Sequence, residues 1–175
     1  MKKIFTLLFA TTFLFASCSD DGEPGPQGPQ GPPGEDGLIG TTLEKTVTFT
    51  APEYSIFYNF PKDVDVFGSD AVLVYLLEKE DDGKDVWTLL PQTFYLEGGG
   101  QMQYNYNHTL DDVNIYLQGN IALETLGEDF TVDQTFRIVI VPSGVLAKNN
   151  NIDISDYKAV MKASNIRENA VKKLD

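Results

Sequence analysis

A glycine stands at every third position from Gly22 to Gly40, in the run GEP GPQ GPQ GPP GED GLI G, with five prolines between the glycines. No globular core can be built from such a segment, because it lacks core-filling side chains and its prolines remove backbone donors. The period is the one that the crowded axis of a collagen triple helix demands, where only glycine fits. Two conformations stay open. A lone chain would hold residues 22–40 as an extended polyproline-II spacer, about 50 Å long at roughly 3 Å per residue. Three chains in register would form a homotrimeric stalk, provided that lipid anchors or folded domains keep the strands together. The spacer is the preferred reading, with the trimer as its alternative, and both set the folded part of the chain away from whatever holds its N-terminus.

Ahead of the repeat, Lys2 and Lys3 form a basic head and Ile4 to Phe15 an apolar run. These are the first two regions of a secretory signal, too short for a comfortable membrane span. Ala16-Ser17 supplies the small side chains that cleavage needs, and Cys18 follows. The stretch Phe15-Ala16-Ser17-Cys18, with Leu14 one place upstream, resembles the lipobox of bacterial lipoproteins, with Phe15 where leucine is commonest. That resemblance implies a signal peptide over residues 1–17, a diacylglycerol on the Cys18 thiol and an acyl group on the new N-terminus. Several acyl chains hold a protein to a bilayer far more firmly than one. Cys18 is the only cysteine, so no internal disulfide is available. Residues 18–21 read as the lipidated cysteine and an acidic tether. Ser19 replaces the aspartate that marks inner-membrane retention, and Asp20, Asp21 and Glu23 are similar to the acidic export signal of surface lipoproteins in the Bacteroidota. The expected location is the outer membrane, facing the cell exterior.

The chain carries 26 acidic against 13 basic residues, a formal net charge of -13. Such a balance argues against a nucleic-acid backbone or an anionic lipid surface as partner.

Residues 41–145 read as short strands between turns. Candidate strands are 46–50, 54–60, 71–77, 86–90, 93–96, 101–106, 113–117, 121–123 and 134–141, several of them alternating and rich in β-branched or aromatic residues. The run 71–77 is apolar almost throughout, as a strand buried on both faces would be. Asp81-Asp82-Gly83 turns the chain toward Val86-Trp87-Thr88-Leu89-Leu90 as a hairpin partner. In 101–106, Met102, Tyr104 and Tyr106 share one face and Gln103 and Asn105 the other. No long helical pattern separates the strands, so the expected fold is all-β, an antiparallel β-sandwich or a compact barrel-like sheet. Residues 146–175 read as a polar link and a helical tail, with Ser155 capping a short helix through Lys162.

Little in this domain points to catalysis. His108 is the only histidine, at a strand end in Asn107-His108-Thr109, with no serine elbow nearby. No catalytic residue is nominated, no zinc site can be assembled from one histidine and a lipidated cysteine, and the chain reads as a protein other than an enzyme. Asp81, Asp82 and Asp85 could offer hard oxygen ligands to calcium around Gly83, although a solvated hairpin tip is preferred. Glu128, Asp129 and Asp133 mark a loop, and Trp87 reads as core.

The whole arrangement resembles the collagen-like repeat lipoproteins of Bacteroidota. Residues 1 to 40 carry that resemblance, and Trp87-Thr88-Leu89-Leu90-Pro91, Asp112-Val113-Asn114-Ile115-Tyr116 and Phe136 to Pro142 extend it loosely. It implies an architecture and no activity: an envelope-anchored structural or interaction lipoprotein whose partner is an unknown surface protein or glycan. The alternative is a carbohydrate-binding or substrate-capturing surface module, with Tyr104, Tyr106 and Tyr116 as an aromatic binding face.

Overall fold

The computed structural model describes residues 39–148 and 151–174. The signal-like leader, Cys18, the acidic tether and the glycine triplets as far as residue 38 lie outside the described residues, as do Asn149 and Asn150 of the polar link. The chain divides into two units, 1–35 and 36–175, and the second is described below.

Five strands come first: β1 (Thr41–Val47), β2 (Ser55–Asn59), β3 (Ala71–Asp81), β4 (Lys84–Leu89) and β5 (Gln92–Tyr95). After them run β6 (Gln101–His108), β7 (Asp112–Gly119), the one-turn helix α1 (Glu128–Thr131) and β8 (Gln134–Val141). The helices α2 (Ser143–Lys148) and α3 (Tyr157–Ala163) and the short strand β9 (Lys172–Lys173) complete the chain. The first sheet has the order β4-β3-β8-β1-β9 and the second the order β2-β7-β6-β5. All pairings are antiparallel except β1 with β9.

This architecture overturns the expectation of an all-β sandwich or barrel-like sheet with one short C-terminal helix. The fold is mixed α/β, with two open sheets and three helices among the described residues. The reason lies in β3 and β8. Their alternate residues Val72, Val74, Phe136, Ile138 and Ile140 join Tyr104, Val113 and Ile115 of the second sheet in one core. The residues between them, Leu73, Tyr75, Val139 and Val141, are just as buried, in a second core closed by Val145 of α2 and by Tyr157, Val160 and Met161 of α3. A sheet apolar on both faces needs a layer on each. Of the two helices that supply the second layer, α3 falls where the sequence suggested a helical tail, whereas α2 is too short to show a helical period in the sequence.

Other local expectations shift for similar reasons. The first strand is 41–47, not 46–50, and Phe49 reaches the core from beyond its end, its N–H bonded to the Thr131 carbonyl at 2.8 Å. The segment 121–123 leads into a 3-10 turn at Leu123–Thr125. The acidic stretch at Glu128 and Asp129 forms α1, with both acids in its first turn where the helix dipole favours them. Helix α3 is capped by Asp156, whose side chain accepts from the Ala159 N–H, while Ser155 bonds Asp153 instead. Between β3 and β4 the turn holds Asp82 at φ 51 and Gly83 at φ 73, the left-handed pair that a two-residue hairpin favours. Among the described residues no helix is long and apolar enough to cross a membrane.

Candidate functional site

The two sheets differ in what covers their outer faces. Helices α2 and α3 lie over β3 and β8, whereas no described helix has buried residues against the outer face of β2-β7-β6-β5. Pairing register gives that face row by row. Tyr95 lies opposite Gln101, and Thr93, Gln103 and Gln118 make the next row. Asn105, Tyr116 and Ser55 follow, then Asn107, Asn114 and Phe57, and last Asp112 with Asn59. Asp112 is the sole charged side chain in these rows, although the chain carries a net charge of -13.

Gln103 organises the centre. Its Nε2 donates to Thr93 Oγ1 at 2.9 Å, and its Oε1 accepts from Asn105 Nδ2 at 2.9 Å and Gln118 Nε2 at 3.2 Å. Each bond fixes an amide orientation. Asn107, Asn114 and the Tyr116 hydroxyl make no side-chain hydrogen bond among the described residues. Beside Gln103 lies a cleft of about 390 Å³, lined by Thr93, Gln101, Gln118, Gly119 and Asn120 among others. Gly119 is required there, because a Cβ would stand 2.4 Å from the Gln101 carbonyl oxygen.

The three tyrosines expected to form one aromatic face are divided. Tyr104 is 1% exposed, and its hydroxyl donates to the Phe130 carbonyl at 2.7 Å. Tyr106 is half-buried and donates to the Val72 carbonyl at 3.0 Å, bridging to the first sheet. Burial pushes both phenols above their ordinary range. Tyr116 alone lies on the outer side, beside Asn105. The exposed rings there are instead Phe57, 64% exposed, and Tyr95, 78% exposed. Strand alternation in Ile56-Phe57-Tyr58 carried the signal for Phe57, since Ile56 and Tyr58 turn to the core.

At the suggested calcium loop, Asp81 pairs with Lys84 in the β3-β4 ladder, and its side chain lies outside the described residues. Asp82 and Asp85 are exposed. Among the described residues no group of three or more His, Cys, Asp or Glu side chains gathers to hold a metal. His108 is exposed at the end of β6, with Nδ1 3.1 Å from the Thr109 carbonyl oxygen.

Buried charge collects on the opposite side of the first sheet. The Arg137 side chain, 9% exposed, bonds Glu44 at 2.9 Å, Glu168 at 2.8 Å and the Tyr157 hydroxyl, under the Trp87 ring. Burial raises the Glu44 carboxyl, but hydrogen bonds from Arg137 and Lys173 outweigh it and hold the group below its ordinary range. This network ties α3 and the C-terminal segment to β1, β4 and β8. Trp87 is thus half-buried as the lid of a cation.

No protein-family model, curated protein or solved structure matches the chain.

Proposed function

We propose that the chain is a lipid-anchored interaction protein of the cell surface. In this reading Cys18 carries the anchor, residues 22–40 are the spacer, and the domain that follows offers the outer face of β2-β7-β6-β5 to a partner outside the cell. One observation supports it above others. The first sheet spends both faces on packing, while the second has one broad face that no described helix covers, with Asp112 its sole charged side chain and exposed rings at Phe57 and Tyr95. Aromatic side chains are enriched at interfaces relative to the rest of a protein surface.

Acyl labelling and surface proteolysis of intact cells test the reading together. The wild-type chain should take up labelled fatty acid and lose its domain to added protease, and Cys18→Ser should remain unlabelled. Normal labelling of Cys18→Ser, or complete protection of the domain on intact cells, would overturn it. Light scattering on the detergent-solubilised full chain separates spacer from stalk, since a monomer fits the first and a trimer the second.

A further inference from the structure

Resting on the reading of that face as a recognition surface, we infer that its ligand is a neutral, hydroxyl-rich glycan chain. The register places three rings on a diagonal: Tyr95 on β5, Tyr116 on β7 and Phe57 on β2. Strand spacing and residue rise put Tyr116 about 8 Å from Phe57 and about 17 Å from Tyr95, a span of a few sugar rings. Between and beside the rings stand Gln103, Gln118, Asn105 and Asn114.

Carboxamides suit this ligand because each offers donors and an acceptor, the same mixed capacity as a sugar hydroxyl. Gln103 holds its neighbours in place before any ligand arrives, which lowers the ordering cost of binding. Flat apolar ring faces cover the C–H side of a pyranose while its hydroxyls reach the amides. Charge excludes the competing partners. A polyanion would meet the field of a chain with net charge -13, and a cationic partner would find one carboxylate in these rows, Asp112. A protein interface of ordinary kind needs a contiguous apolar centre, and here amides separate the rings. The cleft beside Gln103 and Asn120 gives the chain a deeper seat near Tyr95.

The test is retention of the full-length lipidated protein, held in detergent micelles, on amylose, mannan, xylan and mixed-linkage β-glucan, with polygalacturonate as the acidic control. The expected result is binding to one or more of the neutral polymers that high salt leaves unchanged. Tyr116→Ala and Asn114→Ala should each weaken it roughly tenfold, as the loss of one stacking ring or one hydrogen-bonding group would. Phe57→Ser, at a position too exposed to support the core, should weaken it without moving the unfolding midpoint. Binding to none of the neutral polymers, binding to polygalacturonate alone, or neutral binding indifferent to all three substitutions would overturn the inference. A protein that is exposed on cells yet binds no neutral polymer refutes the glycan and leaves the surface-interaction reading standing. One that binds glycan but is fully protected on cells does the reverse.

Discussion

The guanidinium carbon of Arg137 sits 4.1 Å from the centre of the Trp87 ring. The same side chain bonds Glu44 and Tyr157, so one cation joins β1, β4, β8 and α3. Removing it strands a carboxylate whose other partner is the exposed Lys173. Arg137→Met should therefore cost about 3 kcal/mol, the usual penalty for breaking a buried pair from one side. Urea unfolding followed by the fluorescence of Trp87, the single tryptophan, measures it. An unchanged midpoint would mean that the network adds nothing to stability.

Acid should weaken the same tie. Glu44 titrates below its ordinary value of 4.5 in the folded protein, so its contribution is complete above that pH and is lost as the pH falls through the folded value. Unfolding free energy should decline as the pH falls below about 5, and less steeply in Glu44→Gln. Parallel declines in the two proteins would assign the acid limb to other carboxylates.

Alkali acts through the phenols. Burial pushes Tyr157 up to about 12 against the pull of the Arg137 charge, and burial also raises Tyr75 and Tyr104. A raised folded value means stability that is intact below pH 10 and fades as the pH climbs through the folded values. Tyrosinate absorbance from these three rings should appear together with loss of tertiary circular dichroism. Tyr157→Phe should shift the alkaline transition, and tyrosinate formation in a fully folded protein would contradict the assignment.

The last glycine of the repeat belongs to the domain. A Cβ on Gly40 would lie 2.8 Å from the Ile140 carbonyl oxygen and 2.9 Å from both Ser164 and Ile166 side-chain atoms. Gly40→Ala should cost about 1–3 kcal/mol through overpacking. Gly68→Ala, with open space around the added carbon and no positive φ, is the control and should leave the thermal midpoint in place.

Gly40 also illustrates how far the sequence could be read. Its place in a strict triplet assigned it to the spacer, and nothing local announced that it meets Ser164, more than a hundred positions away. Alternation sorted β6 into its two faces and found the double burial of β3, because a period of two survives in any single strand. It placed Tyr104 and Tyr106 together but left open which side of the sheet faced water, and the choice fell against the exposed aromatic face. Only cross-strand register puts Tyr116, Phe57 and Tyr95 on one surface. The all-β reading failed at α1 and α2, which span one or two turns and are held by tertiary contact instead of intrinsic propensity. Strand β9, two lysines long, has no sequence signature at all.

Those two lysines alter how the domain would bear load. Along its seven residues β1 pairs antiparallel with β8, and on its other side Leu43 and Glu44 pair with Lys172 and Lys173, while the Leu174 N–H donates to the Glu44 carbonyl. A tug entering at Gly40 along the strand meets bonds that lie across the direction of pull and must yield together, not one after another from an end. Lys172→Pro should lower the rupture force in single-molecule pulling through residue 39 more than it lowers equilibrium stability. Lys172 and Lys173 thus work as a latch on the first strand, so that a pull entering at Gly40 is resisted by both of its neighbours at once.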